Sequence, residues 1–231
     1  MHNVVMRLWL PDRPGALGAV ASRVGAVRGD LIGIDILERG GGRAIDELIV
    51  SLPDDTLVDL LIHEVGQVDG VDVEEVRPAP NSMPDPRLDA LENAAALVEE
   101  TSVEGLLQRL VDDARRGFDA TWVAVIDVTG PVALAGVGTP PPASWLDAFV
   151  AGSRTSAPVA SGLAGPDDVA WAPLDGADLA LVLGRDGRPF RSRERRQLAA
   201  ISRIADRRWV ELARRSVRDA HPSVNRALSI V

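Results

Sequence analysis

The sequence predicts an α+β chain built from two unlike domains. Over the first 77 residues the hydrophobic period switches between two and about 3.6 in the order β-α-β-β-α-β. Four prolines then fall within the nine residues from Pro78 to Pro86. Beyond them, helical patterns bracket a set of short strands, and 231 residues are enough to bury a core in each half.

In the first domain, residues 4–10 place Val4, Met6, Leu8 and Leu10 on one side of a strand and Val5, Arg7 and Trp9 on the other. Pro11-Asp12-Arg13-Pro14-Gly15 makes a turn. Over 16–28 the period changes, and Leu17, Val20, Ala21, Val24 and Val27 form one apolar helix face that Gly29-Asp30 stops. A second strand at 31–38 puts Ile32, Ile34 and Ile36 together. The glycines from Gly40 to Gly42 turn the chain into a third strand at 45–52. Asp54 or Asp55 caps a second helix bearing Leu57, Leu60, Leu61 and Val65, and residues 71–77 form the last strand. One antiparallel sheet with two helices on one face is the expected plait, the ferredoxin-like arrangement.

Residues 78–86 are the expected linker. In the second domain, 87–231, Leu88, Leu91, Ala95 and Val98 lie at helical spacing, and Leu106, Leu107, Leu110, Val111 and Ala114 mark a second helix. Residues 122–128 and 132–138 read as a hairpin, 144–154 as a helix, and 169–174 and 179–183 as strands joined at Asp175-Gly176. A long helix over 192–218 carries Leu198, Ile201, Ala205, Trp209 and Leu212 along one seam.

Composition narrows the chemistry. There is no cysteine and no tyrosine, and all 25 basic residues are arginine, so lysine is absent too. That removes disulfides, thiolate metal sites, thiol nucleophiles, Schiff bases and the P-loop lysine. Histidine occurs only at His2, His63 and His221, so binding is favoured over catalysis, and neither a cofactor nor a metal is expected. The adjacent pairs Asp54-Asp55, Asp112-Asp113 and Asp167-Asp168 read as caps and solvated surface, because neighbouring acids point apart. A net charge of −9 argues against general nucleic-acid affinity. It is unevenly spread: residues 185–218 carry 12 arginines against 4 acids. Few aromatics interleave them, so Arg203, Arg207, Arg208, Arg214 and Arg215 read as the solvated side of a helix. No uninterrupted apolar run approaches a membrane span, and the start lacks the apolar core of a signal peptide, so a cytoplasmic location is expected.

The stretch Trp9-Leu10-Pro11-Asp12-Arg13-Pro14-Gly15-Ala16-Leu17, followed by an apolar helix and Ile32-Gly33-Ile34-Asp35, resembles the ACT domain family over residues 4–77. That resemblance implies a regulatory module binding a small ligand, most often an amino acid, at a seam between two copies. With one such domain per chain, the seam requires a homodimer. The implied ligand-binding residues are Asp12, Arg13, Pro14, Gly15, Ala16 and Leu17, with Ile32, Gly33 and Ile34 of a partner chain. Gly15 lets a ligand approach the backbone, and the helix start offers free N–H groups to a carboxylate. Asp12 either caps that helix or accepts from an ammonium group, and Arg13 adds a carboxylate contact.

Leu179 to Phe190, with Gly184 and the Gly187-Arg188-Pro189-Phe190 turn, followed by Ser192 to Ile201, is similar to the last strand and terminal helix of GAF domains. Trp122 and Trp171 are candidate pocket aromatics there, with core packing as the competing role. The expected protein is a non-enzymatic sensor that binds an amino acid through its ACT domain and signals through a GAF-like one. The alternative is a protein–protein interaction module that regulates an enzyme or transcription factor without a ligand of its own.

Overall fold

The computed structural model describes residues 1–79, 86–130, 132–160 and 165–220. The chain divides into two compact units, Met1–Asp85 and Pro86–Val231. Of the stretch read as linker, residues 80–85 lie outside the described residues, as does His221.

The first unit runs β1 (His2–Pro11), α1 (Ala16–Ala26), β2 (Asp30–Gly40), β3 (Arg43–Leu52), α2 (Val58–Gly66) and β4 (Asp72–Pro78). Its strands form one antiparallel sheet in the order β2-β3-β1-β4. Alternation in β1 sends Val4, Met6, Leu8 and Leu10 into a core shared with Val20 and Val24 of α1 and Leu61 and Val65 of α2. Each such side chain contributes roughly 1.5–3 kcal/mol when buried, which makes this strip the main source of cohesion. Asp54 settles the capping choice: its carboxylate accepts the Thr56 N–H at 3.0 Å, opening a 3-10 turn at Asp55–Leu57 ahead of α2.

Two details differ from the sequence expectation. The first helix ends at Ala26, not Arg28, because Arg28 adopts φ +62°. The Arg28 N–H then donates to Gly25 O and the Gly29 N–H to Val24 O, both at 3.0 Å, closing a Schellman end. Secondly, Ile32, Ile34 and Ile36 do not share a face. The β2–β3 register shifts between Leu31 and Gly33 and again between Ile36 and Glu38. Leu31, Ile34 and Ile36 therefore stand beside Val50, Leu48 and Asp46, while Ile32 occupies a bulge.

The second unit contains α3 (Pro86–Glu99), α4 (Val103–Gly117), β5 (Trp122–Asp127), β6 (Val132–Val137), α5 (Ala143–Arg154), the short α6 (Ala157–Ala160), β7 (Val169–Leu174), β8 (Leu179–Gly184) and α7 (Ser192–Ala220). Its antiparallel sheet has the order β6-β5-β8-β7. One face packs Val123, Val125, Leu181 and Leu183 against Leu106 and Leu110 of α4 and Leu198, Ala205 and Leu212 of α7. The other face packs Ala124, Ile126, Ala180 and Val182 against Leu146 and Val150 of α5. The chain is thus mixed α+β with two four-stranded antiparallel sheets.

The apolar stripe expected on α3 is turned outward. Leu88, Leu91 and Val98 are exposed, and Leu97 is the side chain that enters the core beside α4 and α7. Residues 94–98 read Ala-Ala-Ala-Leu-Val, so this helix offers apolar groups on more than one side, and spacing alone does not select which one packs.

Candidate functional site

The turn after β1 is held by backbone bonds. The Asp12 N–H donates to Gly42 O at 2.9 Å, tying the turn to the β2–β3 hairpin, and the Arg13 N–H donates to Pro11 O at 2.9 Å. Gly15 stands at the N-cap of α1 with φ +89°, a conformation that suits glycine. No side chain caps this helix start, and open space lies where a Cβ on Gly15 would project. The first-turn N–H groups of a helix have no partner within it, and the positive end of its dipole attracts an anion.

Asp12, then, is not the cap. Its carboxylate lies 4.0 Å from Arg39 Nε at the exposed end of β2. Arg13 reaches Asp69 at 3.8 Å on the surface, Pro14 is exposed, Ala16 is buried and Leu17 is half-buried. The structure therefore gathers Asp12 to Leu17 around one helix end, with the two charged side chains directed to other surface partners.

Ile32, Gly33 and Ile34 lie on β2, at one edge of the sheet. Gly33 has a role within its own chain: a Cβ there would come within 3.0 Å of Ile49 on β3. Ile34 is exposed, next to Leu48 across the strand pair.

Asp46 is the residue that the sequence reading passed over. It stands on β3 between Leu8 of β1 and Ile36 of β2, on the face covered by the helices. Only 4% of it is exposed, and among the described residues its Oδ1 has no hydrogen-bond partner. Burial raises its carboxyl above the usual aspartate range; the Arg39 charge works against this and the Asp12 charge adds to it. The signal was available in the alternation: Ala44, Leu48, Val50 and Leu52 are the other inward residues of that strand, and an acid among them breaks the pattern.

On the opposite face of the same sheet, Arg7 is 2% exposed and donates from Nε at 3.1 Å and from Nη2 at 2.7 Å to Glu47 Oε1. Arg77 approaches the same carboxylate at 3.6 Å, and the Trp9 indole N–H donates to Glu74 at 2.7 Å. These groups satisfy one another and form a structural ion-pair layer.

In the second unit, Trp122 and Trp171 are both half-buried and pack on the α5 side of the sheet. Trp122 lies directly over Gly184, its cross-strand partner on β8, and Arg154 sits 5.9 Å from the centre of the Trp171 ring system. Both aromatics pack, partly buried, against this core.

The arginine-rich end is largely engaged within the unit. Arg188 bonds Asp119, Arg195 bonds the carbonyls of Val169 and Pro166, and Arg208 donates twice to the Glu100 carbonyl. Arg208 is accordingly not a solvated residue, whereas Arg203, Arg207, Arg214 and Arg215 are exposed. Asp113 also departs from the surface reading. It is buried and bridges Arg109 and Arg116 along α4. His63 is exposed on α2 and His2 half-buried on β1. Among the described residues no group of three or more potential metal ligands converges, and no helix is long and apolar enough to cross a membrane.

No protein-family model matches this chain, and no curated protein matches it. Among solved structures it is similar to the ACT domain from the GTP pyrophosphokinase of Chlorobium tepidum, at 14% identity and a TM-score of 0.28, over 34% of this chain and 97% of that one. It is also similar to a formyltetrahydrofolate deformylase from Pseudomonas putida KT2440, at 18% identity and a TM-score of 0.29, over 41% of this chain and 37% of that one. An unknown protein from Galdieria sulphuraria matches at 14% identity and a TM-score of 0.29, over 43% of this chain and 64% of that one.

Proposed function

We propose that the chain is a non-enzymatic regulator whose first unit is an ACT-type domain that binds a small ligand with the chemistry of an amino acid. The ligand's carboxylate lies at the start of α1, against the backbone of Gly15 to Leu17, and a homodimer supplies Ile32 to Ile34 of a partner's β2 as the far wall. The second unit, read as GAF-like, passes the ligand-induced change onward. The observation that carries this reading is the N-terminus of α1: a helix start with no side-chain cap, its Ala16 N–H donating to Arg13 O at 3.3 Å, entered through a left-handed glycine beside open space. Asp12-Arg13-Pro14-Gly15-Ala16-Leu17 inside a β-α-β-β-α-β order supports it.

Calorimetric titration with each of the twenty amino acids, paired with sedimentation in the presence and absence of any that bind, tests the proposal. Saturable heat from at least one amino acid and a dimer are expected. No heat from any of them overturns it. Gly15→Leu is expected to abolish that heat while the unit stays folded at a cost of about 1–2 kcal/mol, since a side chain at this φ is strained.

A second reading, an interaction module that regulates an enzyme or transcription factor without a ligand, draws on the exposed Leu88, Leu91 and Val98 of α3. A chain that gives no heat with amino acids but loses its output when Leu91 is changed to Glu would favour it.

A further inference from the structure

We infer that the outward stripe of α3 is a self-association seam, on which a second copy of the chain lays its own α3 as a parallel helix about a two-fold axis. The seam belongs to the second unit, is separate from the β2 edge, and does not rest on the amino-acid reading.

Leu88, Leu91, Ala95 and Val98 follow one another at spacings of three, four and three, the a and d pattern of a coiled coil. All four are exposed, and three of them are large apolar side chains. Leu97, on the other side of the helix, is fully buried in the core of the unit. One side of α3 therefore serves its own core, and a second apolar side is presented outward. The helix is fixed by its own unit: Arg208 donates from Nε at 3.1 Å and from Nη2 at 2.7 Å to the Glu100 carbonyl, one residue beyond the end of α3. A seam of 14 residues would be a marginal helix alone in water. Carried on a folded unit, it is already formed when a partner arrives.

Charge selects both the occupant and its direction. With Leu88 and Ala95 as a positions, the exposed Glu92 and Glu99 fall at e, along one border of the seam. The opposite border has the small, uncharged Ala94 at g. In an antiparallel pair e faces e, which sets the glutamates of one copy against those of the other, and like charges so placed repel. In a parallel pair e faces g. Glu99 then lies against the partner's Ala94, and Glu92 against position 87, which is arginine in the sequence. A second copy in parallel register thus covers both apolar stripes with no like-charge contact. Ala95, small and at the central a position, lets the two backbones approach.

The full chain contains no cysteine, so one introduced thiol reports on one position. A disulfide needs Cα atoms within about 7 Å. Parallel helices in register bring position 88 of the two copies together. An antiparallel pair sets 88 opposite 98 and parts the two copies of 88 by about 15 Å. Leu88→Cys and Ala95→Cys, each oxidised with dilute copper phenanthroline, are expected to give a covalent dimer at least fivefold more abundant than Asp89→Cys, an exposed position off the seam. Adding Leu91→Glu to Leu88→Cys should lower its dimer more than fivefold while the circular dichroism spectrum stays that of wild type. A yield at Leu88→Cys and Ala95→Cys no greater than at Asp89→Cys overturns the second copy as occupant and leaves the stripe to a different protein. Linkage only in a mixture of Leu88→Cys and Val98→Cys chains overturns the parallel arrangement. Amino-acid heat is read separately from these gels, so failure here and failure of the ligand reading are told apart.

Discussion

Arg185 grips Glu194 through both arms of its guanidinium, Nη1 to Oε1 at 2.7 Å and Nη2 to Oε2 at 2.9 Å. Its remaining donors reach the carbonyls of Phe118, Arg188 and Pro189, and the Phe190 ring lies 4.1 Å from its Cζ. Glu194 in turn accepts the Arg191 N–H at 2.8 Å, half of a capping box at the start of α7. One buried cation thereby joins the end of β8, the turn after it, the end of α4 and the start of α7. Arg185→Lys keeps the charge but replaces a five-donor fork with three donors on a flexible stem. Its expected cost is about 2–4 kcal/mol in the denaturant stability of the second unit, whereas Arg203→Lys on the exposed side of α7 is expected to cost less than about 0.5 kcal/mol.

Gly184 and Trp122 form a second dependent pair. A Cβ at position 184 would overlap the indole of Trp122, which stands opposite it in the β5–β8 register. Gly184→Ala should therefore destabilise the unit by about 1–3 kcal/mol through overpacking. Adding Trp122→Val makes room for the new methyl, so the double variant is expected to be less unstable than the sum of the two single changes. Strict additivity in chemical denaturation would mean that Trp122 moves aside freely and is not the packing residue described above.

On α3 the outward stripe gives a sharp contrast. Leu91 is 69% exposed and Leu97 is fully buried. Leu91→Glu should leave the monomer's stability within about 0.5 kcal/mol, while Leu97→Ala should cost about 2–5 kcal/mol. A large loss for Leu91→Glu, concentration-dependent in thermal melts, would reveal an oligomer contact on this face.

Much of the architecture was legible because alternation and helical spacing are local. Val4 to Leu10, the turn at Pro11 to Gly15, and the seam Leu198–Ala205–Leu212 each declare their state within a few residues. What stayed hidden depends on contacts distant in sequence. The bulges at Ile32 and Leu37 arise from pairing with β3, and the first of them takes Ile32 off the face that Ile34 and Ile36 share. On α3, a run of small and apolar residues fits more than one packing face, and only α4 and α7 decide between them. The candidate site was half visible: its backbone turn is written in the sequence, but Asp46 was masked by Glu47 beside it. One of those two acids faces the buried Arg7 and the other faces the core, a difference that strand parity carries and charge counting does not.

Asp46 should also leave a signature in the pH dependence of stability. Its folded carboxyl is raised above the ordinary 3.8, chiefly by burial, with Arg39 opposing and Asp12 reinforcing the shift. Well below that ordinary value both folded and unfolded chains hold the proton, and the carboxyl imposes no penalty. As the pH rises, the unfolded chain releases its proton first. The native state then binds more protons than the unfolded one, so stability falls with increasing pH until the folded group ionises as well. Asp46→Asn removes this titration. The variant should be more stable than wild type near neutral pH, and its advantage should shrink towards about pH 3. Urea denaturation of both chains across that range checks the sign, and an advantage that stays constant with pH would mean that the penalty at this site is not electrostatic.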